Sequence, residues 1–371
     1  MRDGRGPART ETTARPLGTG HQPGVGPTAH RPDPGAVGVS PRRIGSLEVS
    51  VVGLGGNNFG TDFFGAGCDE REVDRIVHAA LDAGINLFDT AEEYSITSFL
   101  GEGHSEELIG AALGRRRDEA IIATKFLNQS EADPDQRGAA RIVAAVEASL
   151  RRLGTDRIDL YQQHQPDPAT PVEEILEALD RLVRAGKVRE VGCSNFSGKM
   201  LDDAAETAAR SSFSPYRSCQ VQYSVLERPH EDVLGAVERN GMTVLAYFPL
   251  ASGLLTGKYR RGEPPPPNAR LGADAPVSTM LRQGIMARRP PLSDERLATV
   301  EQLSTFAEER GHSLLELAIS WLASQPTVAS VLTGVTKPEQ VIANASAAGW
   351  RLTPEELAAV DAIVAQESEA P

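Results

Sequence analysis

The stretch NLFDTAEEY, residues 86–94, sets Asp89 and Tyr94 close together directly behind an apolar run. Such a pair is either polar loop decoration or part of a reaction centre. Lys125 closes the run AIIATKF and His164 closes RIDLYQQH, adding a cation and an imidazole at two further run ends. These four side chains together suit the reduction of a carbonyl. Hydride delivered to carbon leaves negative charge on oxygen, and an acid must supply a proton there. A tyrosine with its ordinary pKa near ~10 is a weak acid at neutral pH unless a cation favours its phenolate. Lys125 is the candidate cation, Asp89 the group that keeps it charged and in place. His164 is the candidate donor that orients the substrate oxygen.

Four such residues can meet only if the elements that carry them converge. The chain alternates its hydrophobic period throughout. REVDRIVHAALDAG (71–84) has helical spacing and stops at a glycine. Helices are also expected over 105–114, opened by Ser105, over 140–154, and over 171–186 with Pro171 in the first turn. Further helices are expected near 197–209, 230–239, 293–310, 313–324, 338–348 and 353–366. Short apolar runs between them read as strands: VSVVGLG, INLFDT, 120–126, 157–164, 188–196, 218–224, 242–248 and 328–334. Strands separated by helical crossovers build parallel sheets, and eight repeats predict a closed (β/α)₈ (TIM) barrel. The open dinucleotide-binding alternative would carry G-x-G-x-x-G after its first strand, and GLGGNN breaks that pattern at Asn58. In a barrel, chemistry gathers at the C-terminal strand ends. Asp89, Lys125, His164, Ser194, Asn195 and Gln220 all fall there, with Tyr94 in the loop after the second strand.

The 371 residues are 40% hydrophobic and 24% charged, the balance of a soluble globular protein. A formal charge of −13 argues against nucleic-acid binding, and no apolar run reaches bilayer length. Three scattered cysteines without C-x-x-C suit a reducing, cytoplasmic setting, and no metal-binding spacing is present, so no metal is expected. Residues 1–43 hold eight Gly and seven Pro with almost no large apolar side chain. Such a composition predicts a disordered tail, 1–42, ahead of a barrel domain over 43–366 and a short end at 367–371.

The chain resembles the aldo-keto reductases from about Ile44 to Ile363. The resemblance is carried by GLGGNNFG, NLFDTAEEY, GHSEELIGAAL, ATKF, DLYQQHQPD, GKVREVGCSNFS, QVQYSVL, PLASGLLTGKY and KPEQVIAN. It implies a catalytic tetrad of Asp89, Tyr94, Lys125 and His164, with NADPH as cofactor. It further implies that Ser194, Asn195 and Gln220 hold the nicotinamide carboxamide and that Tyr247 stacks on the ring. Asp89, Gly55, Gly56 and Asn57 would line the same end, although the two glycines also fit a plain tight turn. The segment from Pro249 to Arg270 resembles the loop over the pyrophosphate, bringing in Leu250, Ser252, Gly253, Leu254 and Lys258. Arg270 matches the arginine of the 2′-phosphate; surface charge is the alternative for it and for Lys258. Gly334, Thr336, Gln340 and Asn344 match the adenosine-binding segment at a helix start.

The sequence departs from the family pattern at Ala343, where many members carry glutamate, and in a longer loop after Tyr94. With little chain after 366, substrate selectivity would fall to residues 95–104, 249–292 and Phe59. The expected activity is reduction of a small-molecule aldehyde or ketone. Alternatives are oxidation of a sugar or pyridoxine-like alcohol, or a cofactor-binding module resembling potassium-channel β-subunits. The substrate and the oligomeric state are not legible in these residues.

Overall fold

Eight of the apolar runs pair edge to edge until the last meets the first. The computed structural model describes residues 41–61, 67–94, 103–128, 137–267, 269–272 and 292–368. An antiparallel hairpin, β1 (Arg42–Ile44) and β2 (Leu47–Val49), comes first. Then follow β3 (Val52–Gly55), β4 (Leu87–Asp89), β5 (Ile121–Phe126), β6 (Ile158–Gln163), β7 (Val188–Ser194), β8 (Ser218–Gln222), β9 (Thr243–Tyr247) and β10 (Val328–Gly334). Their order is β10-β3-β4-β5-β6-β7-β8-β9 in a closed barrel, all neighbours parallel. The predicted (β/α)₈ architecture is therefore the observed one.

The surrounding helices are α1 (Glu70–Asp82), α2 (His104–Leu113), α3 (Gly138–Leu153), α4 (Val172–Arg184), α5 (Gly198–Ser211), α6 (Glu231–Arg239), α7 (Asp294–Glu308), α8 (Leu314–Ala323), α9 (Pro338–Ser346) and α10 (Pro354–Ser368). In α1 the buried face is Val73, Ile76, Val77, Ala80 and Leu81, and Asp69 caps it by accepting from the Glu72 N–H. Two expected helix starts are corrected. Pro171 is the cap of α4 and lies outside its first turn. In α2 the cap is Gly103, at φ 72°, and Ser105 is fully buried within the helix. The Ser105 hydroxyl donates to the Gly56 carbonyl at 2.8 Å and accepts from Thr90 Oγ1 at 2.9 Å, so tertiary bonds outcompeted the local cap.

Alternation along each strand divides the interior by height. Residues two apart share a face, and Leu87 with Asp89, Ile121 and Ala123 with Lys125, and Leu160 with Gln162 follow this rule. The lower members are apolar. They form one cluster with Ile44, Leu47 and Val49 of the hairpin and Leu245, Ala329 and Leu332. The hairpin thus packs across the N-terminal strand ends. Arg42 fixes it there, donating to the carbonyls of Val328 at 2.6 Å and Ala323 at 2.5 Å. Composition grouped Arg42 with the tail; it is the first residue of β1. Residues 1–40 lie outside the described residues. Among those described, no helix is long and apolar enough to cross a membrane.

Candidate active site

At the C-terminal strand ends the interior turns polar. Lys125, fully buried, spends its three N–H bonds on Asp89 Oδ2 at 2.7 Å, the Thr90 carbonyl at 2.8 Å and the Tyr94 hydroxyl at 3.0 Å. Asp89 Oδ1 accepts from Gln220 Nε2 at 2.8 Å and from Gln162 Nε2 at 3.4 Å. The His164 ring meets the Tyr94 ring edge-on, centroids 5.9 Å apart. Residues from four positions of the sequence, 89, 94, 125 and 164, therefore stand in one cluster.

Burial decides the protonation of this cluster. Loss of water pulls the Lys125 ammonium down, but Asp89 and then Tyr94 more than offset it, so its pKa is raised and it stays charged. Tyr94 departs from expectation. Desolvation outweighs the lowering by Lys125, with Asp89 and Glu93 adding to the rise, and the phenol is pushed up to about 12. The lysine alone was expected to bring the phenol down; enclosure of the hydroxyl and two nearby carboxylates reverse the sign. Burial, then the Lys125 charge, hold His164 well below its usual range. Glu93 Oε1 lies 3.0 Å from His164 Nδ1 and would favour the imidazolium. No hydrogen bond is made at Nδ1. Desolvation is the stronger influence and the ring is neutral.

The neighbouring strands bring up the residues expected for a nicotinamide. Ser194 and Gln220 are register partners on β7 and β8. The Ser194 hydroxyl donates to the Gln220 carbonyl at 2.9 Å, and the Tyr247 hydroxyl donates to Asn195 Oδ1 at 2.9 Å. Asn195 Nδ2 bonds Ser194 Oγ at 3.1 Å and the His164 carbonyl at 3.3 Å. Asn195 sits at φ 63°, a left-handed conformation that asparagine tolerates better than most residues.

The loop residues gather on the β9, β10 and β3 side. Gly253, at φ 93°, lies so close to Lys258 that a Cβ would stand 2.7 Å from its Nζ. Leu250, Ser252 and buried Leu254 complete this turn, with Ser252 also at positive φ. Arg270 donates to Asn58 Oδ1 at 2.9 Å and stacks on Phe248, 5.2 Å from the ring centroid. A Cβ on Gly334 would stand 3.5 Å from Asn57 Oδ1 and Asn58 Nδ2 and 4.0 Å from Arg270 Nη2. Thr336 N–H donates to Gln340 Oε1 at 2.8 Å at the start of α9, and Asn344 is buried one turn on. Much of the Lys258 side chain is exposed, yet its pKa is lowered by lost hydration of the ammonium and then by Arg270. Two cations repelling one another beside a polar-walled glycine and a helix start suit an anionic ligand. The residues present thus fit a phosphorylated dinucleotide.

One expected residue is corrected and a second has a packing duty as well. Phe59 is fully buried in the core, bridged to Cys68, and cannot face a substrate. Gly56 is needed for packing: a Cβ there would stand 2.8 Å from Ser105 Oγ and 2.9 Å from Ile109 Cδ1. Residues 95–102 and 273–291, expected to govern selectivity, lie outside the described residues. Gln162 and Phe248 were not singled out in the sequence, and Asn58 only as the break in G-x-G-x-x-G. Gln162 shares the interior face with Leu160, so strand alternation could have found it; the contacts of Asn58 and Phe248 with Arg270 carry no local signal.

A barrel with this polar mouth and anion-suited rim can serve several chemistries, and comparison with known proteins identifies its class. The Aldo/keto reductase family model matches residues 51–365, and the chain belongs to that family. It is an NAD(P)H-dependent oxidoreductase. It is 38% identical over 324 residues to "Aldo-keto reductase YhdN" of Bacillus subtilis (strain 168), covering 86% of this chain and 91% of the other. It is 32% identical over 346 residues to "L-glyceraldehyde 3-phosphate reductase" of Escherichia coli O157:H7, covering 88% and 95%. It is also 34% identical over 310 residues to "Probable voltage-gated potassium channel subunit beta" of Oryza sativa subsp. japonica, covering 81% and 90%.

Proposed function

We propose that this protein reduces an aldehyde or ketone to an alcohol, with NADPH as the reductant and Tyr94 as the proton donor. The observation that carries this reading is the buried Lys125 ammonium, bonded at once to Asp89 and to the Tyr94 hydroxyl. NADPH, when bound, would supply hydride to the carbonyl carbon. Tyr94 keeps its proton through neutral pH and gives it to the oxygen as negative charge develops there. Lys125 sits where it stabilises the phenolate left behind, and Asp89 holds that ammonium in place. His164 donates an N–H to the substrate oxygen and orients it.

For the cofactor, Ser194, Asn195 and Gln220 would take the carboxamide, Asn195 by exchanging its present bonds to Ser194 Oγ, the His164 carbonyl and Tyr247. Ser194 donates to the Gln220 carbonyl and Gln220 to Asp89, which fixes the three side chains relative to one another and to the Lys125 cluster. Tyr247 offers the flat face, Lys258 and the 250–254 turn the pyrophosphate contacts. Arg270 with Thr336 and Gln340 would take the 2′-phosphate that distinguishes NADPH from NADH. The three cysteines are free and buried, which supports a reducing, cytoplasmic setting.

The test is Tyr94→Phe. Turnover should fall by at least the ~10²- to 10⁴-fold attributable to a general acid, while cofactor affinity stays unchanged. Retention of most activity would show that the proton comes from elsewhere. A second reading, a cofactor-binding module, is favoured by the relative named as a potassium-channel β-subunit. Tight NADPH binding with no turnover across a wide panel of aldehydes, ketones and alcohols would select it. Because the same groups serve both directions, that panel also reports alcohol oxidation.

A further inference from the structure

Two residues before Tyr94 in the chain lies a buried carboxylate that the proposed reaction does not use. Glu92 is 5% exposed. Its Oε1 accepts from the Leu127 N–H at 2.7 Å and from Arg141 Nη2 at 2.6 Å. Its own N–H donates to the Lys125 carbonyl at 3.1 Å, extending the ladder begun where Thr90 N–H meets the Ala123 carbonyl. The chain then turns, Tyr94 N–H bonding back to the Ala91 carbonyl, so Glu92 lies inside the turn that presents the phenol. One residue thus grips the Lys125 segment at two points, by backbone at the lysine's own carbonyl and by side chain just past the strand end at 127. A third tie runs to α3 through Arg141.

Burying a carboxylate is costly, and this one is raised in pKa by desolvation despite Arg141. A fold that needed only packing here would be served as well by an apolar side chain. From this geometry we infer that Glu92 is a positioning residue for the reaction: its bonds to Leu127 and Arg141 hold the Tyr94 turn at hydrogen-bond distance from Lys125. The inference rests on the reading of Tyr94 as proton donor. The charged groups facing Tyr94 are Asp89 from β4, Lys125 from β5, Glu93 in the turn and His164 after β6; Glu92 faces Arg141 of α3 and Glu106 of α2. Glu92 therefore acts through the position of the phenol, not through direct contact.

The experiment compares Glu92→Ala, Glu92→Gln and wild type, all at a temperature where each is folded. A reacting group displaced by about 1 Å loses on the order of 10²-fold in rate. Glu92→Ala is expected to lose about 10- to 100-fold in kcat with NADPH affinity unchanged. Glu92→Gln keeps an acceptor for the Leu127 N–H and should recover most of that loss. In cofactor-free protein, ultraviolet difference titration with Tyr94→Phe subtracted reads the phenol itself. In Glu92→Ala its ionisation should move from about 12 back toward the ordinary 10, as the released turn meets water. A lower melting temperature with kcat and the Tyr94 ionisation both unchanged would overturn the inference, and so would equal loss in the glutamine variant. If Tyr94→Phe stayed active, the proton-donor reading would fail, while the titration would still report whether Glu92 sets the ring. Should Glu92→Ala not fold, Arg141→Met gives the same readouts, with a smaller kcat loss expected.

Discussion

The two ends of the barrel interior are made from the same strands and do opposite work. At the lower end Leu87, Ile121, Ala123 and Leu160 meet the hairpin residues Ile44, Leu47 and Val49 in a dry cluster. Two residues higher on the same strands stand Asp89, Lys125 and Gln162, equally buried but joined by hydrogen bonds. Burial is the same commodity at both ends. Below, it removes apolar area from water and stabilises; above, it strips water from charges at a cost in stability, which the proposed reaction would put to use. The lesson is that a position on a strand is not catalytic by exposure. In the proposed reaction it serves because its neighbours are arranged to satisfy a charge that bulk water does not reach.

The sharpest way to break this comparison is to damage the lower end alone. Leu47→Ala should lose about 2–5 kcal/mol of stability through the cavity it leaves, with kcat per folded molecule unchanged. Thermal unfolding beside steady-state kinetics reads both quantities, and a matching fall in kcat would mean that the ends are coupled. At the upper end, Arg270→Ala should weaken NADPH by about 1.5–3 kcal/mol, the range for a hydrogen bond to a charged group, and barely touch NADH. Lys258→Ala should weaken both alike; fluorescence titration with each cofactor distinguishes the two, and equal losses at Arg270 would move it off the 2′-phosphate.

Two smaller effects refine the picture. Deleting residues 1–40 should leave melting temperature and turnover intact, whereas Arg42→Ala should cost about 1.5 kcal/mol by leaving the Ala323 and Val328 carbonyls without their charged donor. Equal stability of the two proteins would show that water replaces the guanidinium without loss. The smallest effect is a pH dependence. His164 is held below its ordinary 6.5, so below that pH the unfolded chain binds a proton the folded one refuses. Its contribution to stability is present above 6.5 and is lost as pH falls toward the depressed value. Melting curves of wild type and His164→Asn should therefore converge on acidification; parallel curves would mean that His164 titrates normally.

Much of this was legible because its physics is periodic. Eight alternations of strand and helix fixed the barrel, and strand ends pointed to Asp89, Lys125 and His164 before any coordinate did. Where bonds cross the fold, sequence is silent. Ser105 looks like a helix cap and is instead a buried bridge between Gly56 and Thr90. Phe59 looks like a pocket wall and is core, because its neighbour in space is Cys68. The direction of the Tyr94 shift depends on how completely the hydroxyl is enclosed, and no spacing encodes enclosure. The hairpin escaped notice because two three-residue strands give too short a period to register beside VSVVGLG.

Ring closure also constrains how the chain is made. Thr333 Oγ1 donates to the Gly53 carbonyl across 280 positions of sequence, at the seam where β10 joins β3. On the ribosome, β3 is the first barrel strand to emerge and waits for its second neighbour until nearly all of the barrel has been synthesised. Every shorter nascent chain carries two open strand edges, one at β3 and one at the newest strand, each able to recruit a foreign strand. Synthesis of this protein is therefore a race between completing the ring and capping those edges with another chain, and the seam strand, Val328–Gly334, is the one that ends it.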